Sequence, residues 1–269
     1  MKYIQRLMRR FSGKPEYSPG YNPVMDRAAA LATAAELWSI SPSQARDLWD
    51  QHEAFVGNQG YGEEITAGKT LSFDESFFVY VLMARRRPRT IVEIGTQYGR
   101  STRRIIDISK ALGLEARVVC YDIADEVAFF QKGREAELRV RDITPHFRTE
   151  VMDDLKPDFV FLDARPRPLI EAVVSGIMAS PGLGVLAIHD CARGICRRDA
   201  ADIPLISPTS MTGVWERHVL ATAFGVADPL SPQLDSCARF GMRLRILNTR
   251  HGLAMLGRES CFASPGGDR

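Results

Sequence analysis

Six side chains in this 269-residue chain combine reactive types with suggestive placing. Glu93, Asp122, Asp142, Asp163 and Asp190 each stand within a residue or so of the end of a short apolar run, and His189 adjoins the last of them. Carboxylates so placed can accept charge-assisted hydrogen bonds from hydroxyls, hold a hard divalent cation or take up a proton. Gly95 and Gly99, with Thr96 between them and Ser101 just beyond, mark a tight loop entering a helix, whose first backbone N–H groups are free to meet a ligand. Turn and cap preferences explain one or two aspartates at strand ends. They do not easily explain five acids converging on one rim.

Convergence requires parallel neighbouring strands. Apolar runs at residues 90–94, 117–121, 138–141, 158–162 and 185–188 read as strands, and helical patterns separate them at 101–112, near 125–131, at 145–155 and at 169–179. This alternation predicts an α/β, Rossmann-like, doubly wound sheet, mostly parallel, with helices on both faces. A further helix is predicted over 214–224. "FGMRLRILNT" and "HGLAMLGR", joined by a turn at 248–252, predict a closing antiparallel hairpin. In such sheets ligands bind at the carboxyl ends of the strands.

The loop chemistry narrows the ligand. A dinucleotide site uses G-x-G-x-x-G with its pyrophosphate on a helix N-terminus, whereas this chain has Glu93-x-Gly95-x-x-x-Gly99. A carboxylate at that point repels pyrophosphate and suits a ligand carrying an ammonium and a sulfonium. Asp122 is placed to accept from two ribose hydroxyls. "VEIGTQYGRST", "VVCYDI" and "PDFVFLDA", in that order, resemble the motifs of class I S-adenosylmethionine-dependent methyltransferases over roughly residues 75–257. The resemblance implies a seven-stranded sheet with one antiparallel strand and S-adenosylmethionine as cofactor. It implies binding by Glu93, Gly95, Thr96, Gly99, Ser101, Asp122, Ile123, Asp142 and Asp163.

"GLGVLAIHDCARG" followed by "GVWERH" is similar to a narrower subgroup, the sugar and macrolide-sugar O-methyltransferases (methyltransferase domain 24). That likeness implies a divalent metal, Mg²⁺, at Asp163 and Asp190 with His189 adjacent; the alternative for His189 is a hydrogen-bonded residue that positions the loop. The same three residues are the implied catalytic set. The subgroup carries a histidine, its candidate base, where this chain has Pro166 in "LDARPRPLIE". The base is therefore His189, Asp163 or Asp190, or comes from elsewhere. The function implied is O-methylation of a hydroxyl on a small molecule or a sugar or glycan unit. A non-catalytic or regulatory cofactor-binding member of the fold and an NAD-dependent oxidoreductase are the alternatives.

Composition bounds the rest. The chain has 35 Lys and Arg against 33 Asp and Glu, a net charge of +2, which offers no field for nucleic acid. The basic clusters at Arg85–Arg87 and Arg103–Arg104 read as solvated helix ends. Five cysteines without a C-x-x-C pair fit a reducing cytoplasm; His189, Cys191 and Cys196 have an unusual spacing for zinc. No apolar run is long enough to span a membrane. Residues 1–11 carry an apolar helical face beside basic residues, which suits either peripheral membrane contact or packing on this chain or a partner subunit. Residues 1–23 are read as that segment and a linker, 24–72 as a helical extension, 73–260 as the cofactor-binding domain and 261–269 as a disordered tail. The acceptor site is expected around Tyr61 and the segment 193–213, a candidate lid carrying Arg193, Arg197 and Arg198. A homo-oligomer through the N-terminal helices is expected.

Overall fold

The computed structural model describes residues 22–60, 71–164, 166–180, 184–195 and 215–263. The segment 1–21, Tyr61, Cys196, Arg197, Arg198 and most of the candidate lid lie outside them. Eight strands form one sheet in the order β3-β2-β1-β4-β5-β8-β7-β6. They are β1 (Thr90–Ile94), β2 (Arg117–Asp122), β3 (Glu137–Val140), β4 (Phe159–Leu162), β5 (Val185–Ile188), β6 (Ser236–Arg239), β7 (Met242–Leu247) and β8 (Leu253–Arg258). Strands β1 to β5 are parallel, and β8 runs antiparallel between β5 and β7. The doubly wound α/β architecture is as the sequence predicts, with one strand more than the seven expected. The eighth, β6, pairs antiparallel with β7 through a turn at Phe240 and Gly241, both at positive φ.

Strand side chains alternate between faces, and the alternation divides the core in two. Ile91, Val118, Cys120, Phe159, Phe161, Val185 and Ala187 face one layer, and Val92, Ile94, Val119, Tyr121, Val160, Leu162, Leu186 and Ile188 face the other. The first layer is built by α1 (Arg27–Trp38), α2 (Pro42–Gln59), α3 (Phe73–Arg86) and α4 (Arg100–Ala111). The second is built by a wide-turn π-helix (Phe147–Leu155), α5 (Arg167–Ala179) and α6 (Glu216–Phe224). α2 opens on the Ser41–Gln44 capping box, and α3 begins where the Glu75 carboxylate accepts the Ser72 N–H at 2.9 Å.

Three sequence expectations are corrected. The segment near 125–131 is not a helix. The Ala128 and Phe129 N–H groups both donate to the Tyr98 carbonyl, at 3.0 and 3.2 Å, so the segment is laid over the glycine loop. Arg103 and Arg104 are not solvated: Arg103 pairs with Asp107 and Glu135, and Arg104 is fully buried beside Ser76. The tail does not begin at 261, because Cys261 and Phe262 are buried in α7 (Glu259–Phe262). Within the 24–72 extension, α1 and α2 share one core with the sheet. Among the described residues no helix is long and apolar enough to cross a membrane.

Candidate active site

Strand register assembles the site. Leu162 of β4 pairs with Ile188 of β5, and the His189 N–H donates to the Leu162 carbonyl at 3.0 Å. Asp163 and His189 therefore stand side by side, one step beyond the paired residues. Leu162 and Ile188 face the α5 layer, so alternation turns Asp163 and His189 toward α3. Asp190 follows with φ +61, the left-handed region, which Asp tolerates better than most residues. That turn lets the Cys191 and Ala192 N–H groups donate to the Gly252 and His251 carbonyls, both at 2.8 Å. Gly252 has to be glycine: its φ is +78, and a Cβ there would lie 2.0 Å from the Ala192 nitrogen.

The glycine loop lies beside this cluster, because β1 and β4 are neighbours. Gly95 has φ +90, and a Cβ on it would come within 2.3 Å of the Asp163 carbonyl oxygen. Absence of a side chain lets the β1 loop close on the end of β4. The Asp122 carboxylate ties the next two loops together, accepting the Gln97 N–H at 2.7 Å and the Ala124 N–H at 3.1 Å. One N–H per oxygen leaves acceptor capacity on both for hydroxyls. Tyr98 and Ile123 expose apolar surface beside it, 45% and 73% respectively.

Other residues expected at the cofactor make contacts within the protein. Glu93 does not face the rim. Two residues from Ile91, it points the same way, beneath α4, where it is fully buried. Its carboxyl accepts the Ser101 and Thr102 hydroxyls and lies beside the Cys120 thiol. Burial pushes its pKa up to about 7 against those hydroxyls, and the charge of Asp163 adds to the rise. The Ser101 hydroxyl proton is thus given to Glu93, leaving its oxygen as an acceptor. Thr96 is buried under the loop. At Gly99 the space a side chain would fill is taken by the Phe130 ring, 2.7 Å from an ideal Cβ. Asp142 is exposed and caps the turn after β3 by accepting the Thr144 N–H at 2.9 Å.

His189 sits between two sets of carboxylates. Its Nδ1 is 3.3 Å from Asp163 Oδ1 and 3.5 Å from Asp190 Oδ1. Neither approach is aligned for a hydrogen bond, and Nδ1 is buried without one. Its Nε2 is 3.4 Å from Glu75 Oε2, which also meets His251 Nδ1 at 2.9 Å. Burial alone would lower the His189 pKa, but Asp163, Asp190 and Glu75 together raise it well above the ordinary value. Burial likewise would raise Glu75, and the two imidazoles hold it well below the ordinary carboxylate range. Glu75 and His251 are not among the residues that sequence reasoning singles out. In the sequence Glu75 is legible only as a capping residue, and His251 only as part of a turn.

The Asp163, His189 and Asp190 donor atoms fit a divalent ion. All three lie within 4.8 Å of one another. The gaps of 3.3 and 3.5 Å from Nδ1 match the ~3.4 Å spacing of donors on a tetrahedral ion with bonds of ~2.1 Å. One imidazole with two carboxylates differs from the all-oxygen set that Mg²⁺ prefers. Cys191 is no part of it; its thiol turns to the Ile188 and His189 carbonyls.

No family model matches the chain, and no curated protein matches it. Solved structures do. The SAH-bound methyltransferase PaMTH1 of Podospora anserina is 15% identical, over 88% of this chain and 98% of its own, with a TM-score of 0.48. The O-methyltransferase TomG of Streptomyces achromogenes, involved in tomaymycin synthesis and solved with SAM, is 16% identical over 93% and 97%, with a TM-score of 0.42. An O-methyltransferase of Bacillus cereus in complex with SAH is 16% identical over 86% and 97%, with a TM-score of 0.41. These likenesses concern the course of the main chain; strand order and register carry the fold.

Proposed function

We propose that the chain is an S-adenosylmethionine-dependent O-methyltransferase that works on a hydroxyl of a small molecule or saccharide unit beside a divalent ion. One observation carries this reading: the Asp163–His189–Asp190 cluster stands at the same sheet edge as the Gly95 loop and Asp122, with β1 and β4 adjacent. A cofactor loop next to a metal-competent cluster is what a metal-assisted alkyl transfer to oxygen requires. The cofactor supplies a methyl group on a sulfonium, and the ion supplies a Lewis acid that lowers the pKa of a bound hydroxyl.

The chain's own residues divide the remaining work. Asp122 accepts the ribose hydroxyls through its remaining lone pairs. Tyr98 and Ile123 offer apolar surface to the base. Asp163 and Asp190 would hold the ion that orients the acceptor oxygen, and alignment would supply much of the rate. His189 is not the base. Without an ion the surrounding carboxylates raise its pKa well above the ordinary value; with one, its Nδ1 would be a ligand. Pro166 offers no proton acceptor. Of the two carboxylates, Asp163 is the more open to the acceptor's proton, its side chain 32% exposed against 6% for Asp190.

Calorimetric titration tests this reading. S-adenosylhomocysteine is expected to bind the wild type while NAD does not, and Asp122→Ala to weaken binding at least tenfold by removing two charge-assisted hydrogen bonds. Binding of NAD in preference to S-adenosylhomocysteine would return the chain to the oxidoreductase alternative.

A further inference from the structure

We propose that Glu75 is a positioning residue, holding the His189 ring by its Nε2–H so that Nδ1 faces Asp163 and Asp190 as a nitrogen donor for a divalent ion. This rests on the metal reading above and adds to it the residue that makes an imidazole usable there.

Glu75 is in the first turn of α3 and is fully buried. A capping-box glutamate needs to satisfy only one backbone N–H at the helix start. Glu75 does that for Ser72 and then meets four further groups. Its Oε1 accepts the His251 N–H at 2.8 Å and lies 3.3 Å from Thr249 Oγ1. Its Oε2 lies 2.9 Å from His251 Nδ1 and 3.4 Å from His189 Nε2. Partners on both oxygens leave the carboxylate little freedom to rotate.

An acceptor fixed at Nε2 decides the histidine's protonation pattern. When an ion displaces the Nδ1 proton, the proton on Nε2 is the one that stays, and the Nδ1 lone pair is left for the ion. Nδ1 is the atom found buried, unaligned with either aspartate and spaced for a shared ion. Metal-binding histidines commonly donate their other ring N–H to a carboxylate, which orients the ring and raises its basicity. A nitrogen donor beside two carboxylates also favours Mn²⁺, Fe²⁺ or Zn²⁺ over Mg²⁺, which prefers oxygen and dehydrates reluctantly.

The test is calorimetric binding of Mn²⁺ and Mg²⁺ to the wild type, Asp163→Ala and Glu75→Gln, each checked for folding by circular dichroism. The wild type is expected to take Mn²⁺ more tightly than Mg²⁺. Asp163→Ala should abolish binding, and Glu75→Gln should weaken Mn²⁺ by about 10–100-fold while narrowing its lead over Mg²⁺. A purely structural Glu75 would lower the melting temperature and leave Mn²⁺ affinity unchanged; that result, with Asp163→Ala still deficient, overturns the positioning role and spares the metal reading. Failure of the wild type to bind either ion overturns both. Should Glu75→Gln fail to fold, ¹⁵N NMR of the Zn²⁺-loaded wild type decides: His189 ligated through Nδ1 and protonated at Nε2 supports the role, and the reverse arrangement overturns it.

Discussion

Glu93 is an acid where water cannot reach it, and that fixes how it acts. With its pKa pushed up to about 7 by burial, the folded cofactor-free protein keeps a proton there that the unfolded chain, at the ordinary value of 4.5, gives up. For an acid raised on folding, the stabilising contribution is complete below about 4.5 and is lost as pH rises through about 7. A shift of this size corresponds to about 3 kcal/mol. Urea unfolding of wild type and Glu93→Gln between pH 5 and pH 8 isolates it. The variant is expected to gain on the wild type as pH rises, by up to about 3 kcal/mol. Parallel pH profiles for the two proteins would mean that Glu93 stays ionised, with the loop held differently. The conclusion reaches function through Ser101 and Thr102: by holding their hydroxyls, Glu93 anchors the start of the helix that follows the glycine loop.

Between elements, the close approach of the β5 and β7–β8 loops matters most. Cys191 and Ala192 hydrogen-bond across to Gly252 and His251, and no Cβ fits at Gly252. Gly252→Ala meets backbone and a left-handed φ together. Left-handed strain alone costs roughly 1–3 kcal/mol, so a fall in melting temperature of several degrees is expected, with weaker Mn²⁺ binding because Asp190 sits one residue away from Cys191. An unchanged melt would show that the two loops separate freely. This junction also shows why the site is only partly legible in sequence. Asp163, His189 and Asp190 end strands whose apolar runs are plain, and β1 and β5 have the predicted limits. Glu75 reaches His189 from 114 positions away, and no local pattern announces such a contact. The 125–131 segment misleads for a related reason. Val127 and Phe130, at helical spacing, pack on Gly99 rather than on a helix face. The direction of Glu93 is legible after all, since the period of two along β1 puts it with Ile91.

For the whole molecule, the N-terminal helices belong to the site's foundation. α1 and α2 pack on α3: Trp38 stacks on Phe78 with centroids 6.1 Å apart, and Trp49 meets Phe77 edge-on at 4.9 Å. His52, buried between α2 and α3, is 3.0 Å from Ser76 Oγ and held neutral, its pKa pushed down to about 3 by burial and by Arg104. In the first turn of α3, beside Glu75, Asp74 accepts the Met25 and Arg250 N–H groups at 2.9 and 3.2 Å, joining the chain before α1 to the turn that carries His251. Burial of a large apolar side chain contributes about 1.5–3 kcal/mol, and a domain's net stability is only about 5–15 kcal/mol. Losing Trp38, Trp49 and Phe55, and baring Phe77 and Phe78, is therefore comparable to the whole margin. A chain beginning at Phe73 is expected to bind a hydrophobic dye, melt without a cooperative transition and bind no Mn²⁺, whereas one beginning at Asn22 melts sharply. A sharp melt from the Phe73 chain would mean that residues 73–263 hold the sheet unaided and that α1 and α2 are an appendage. The interlock at α3 predicts the opposite, because one helix carries aromatic packing on one side and the carboxylate behind His189 at its start.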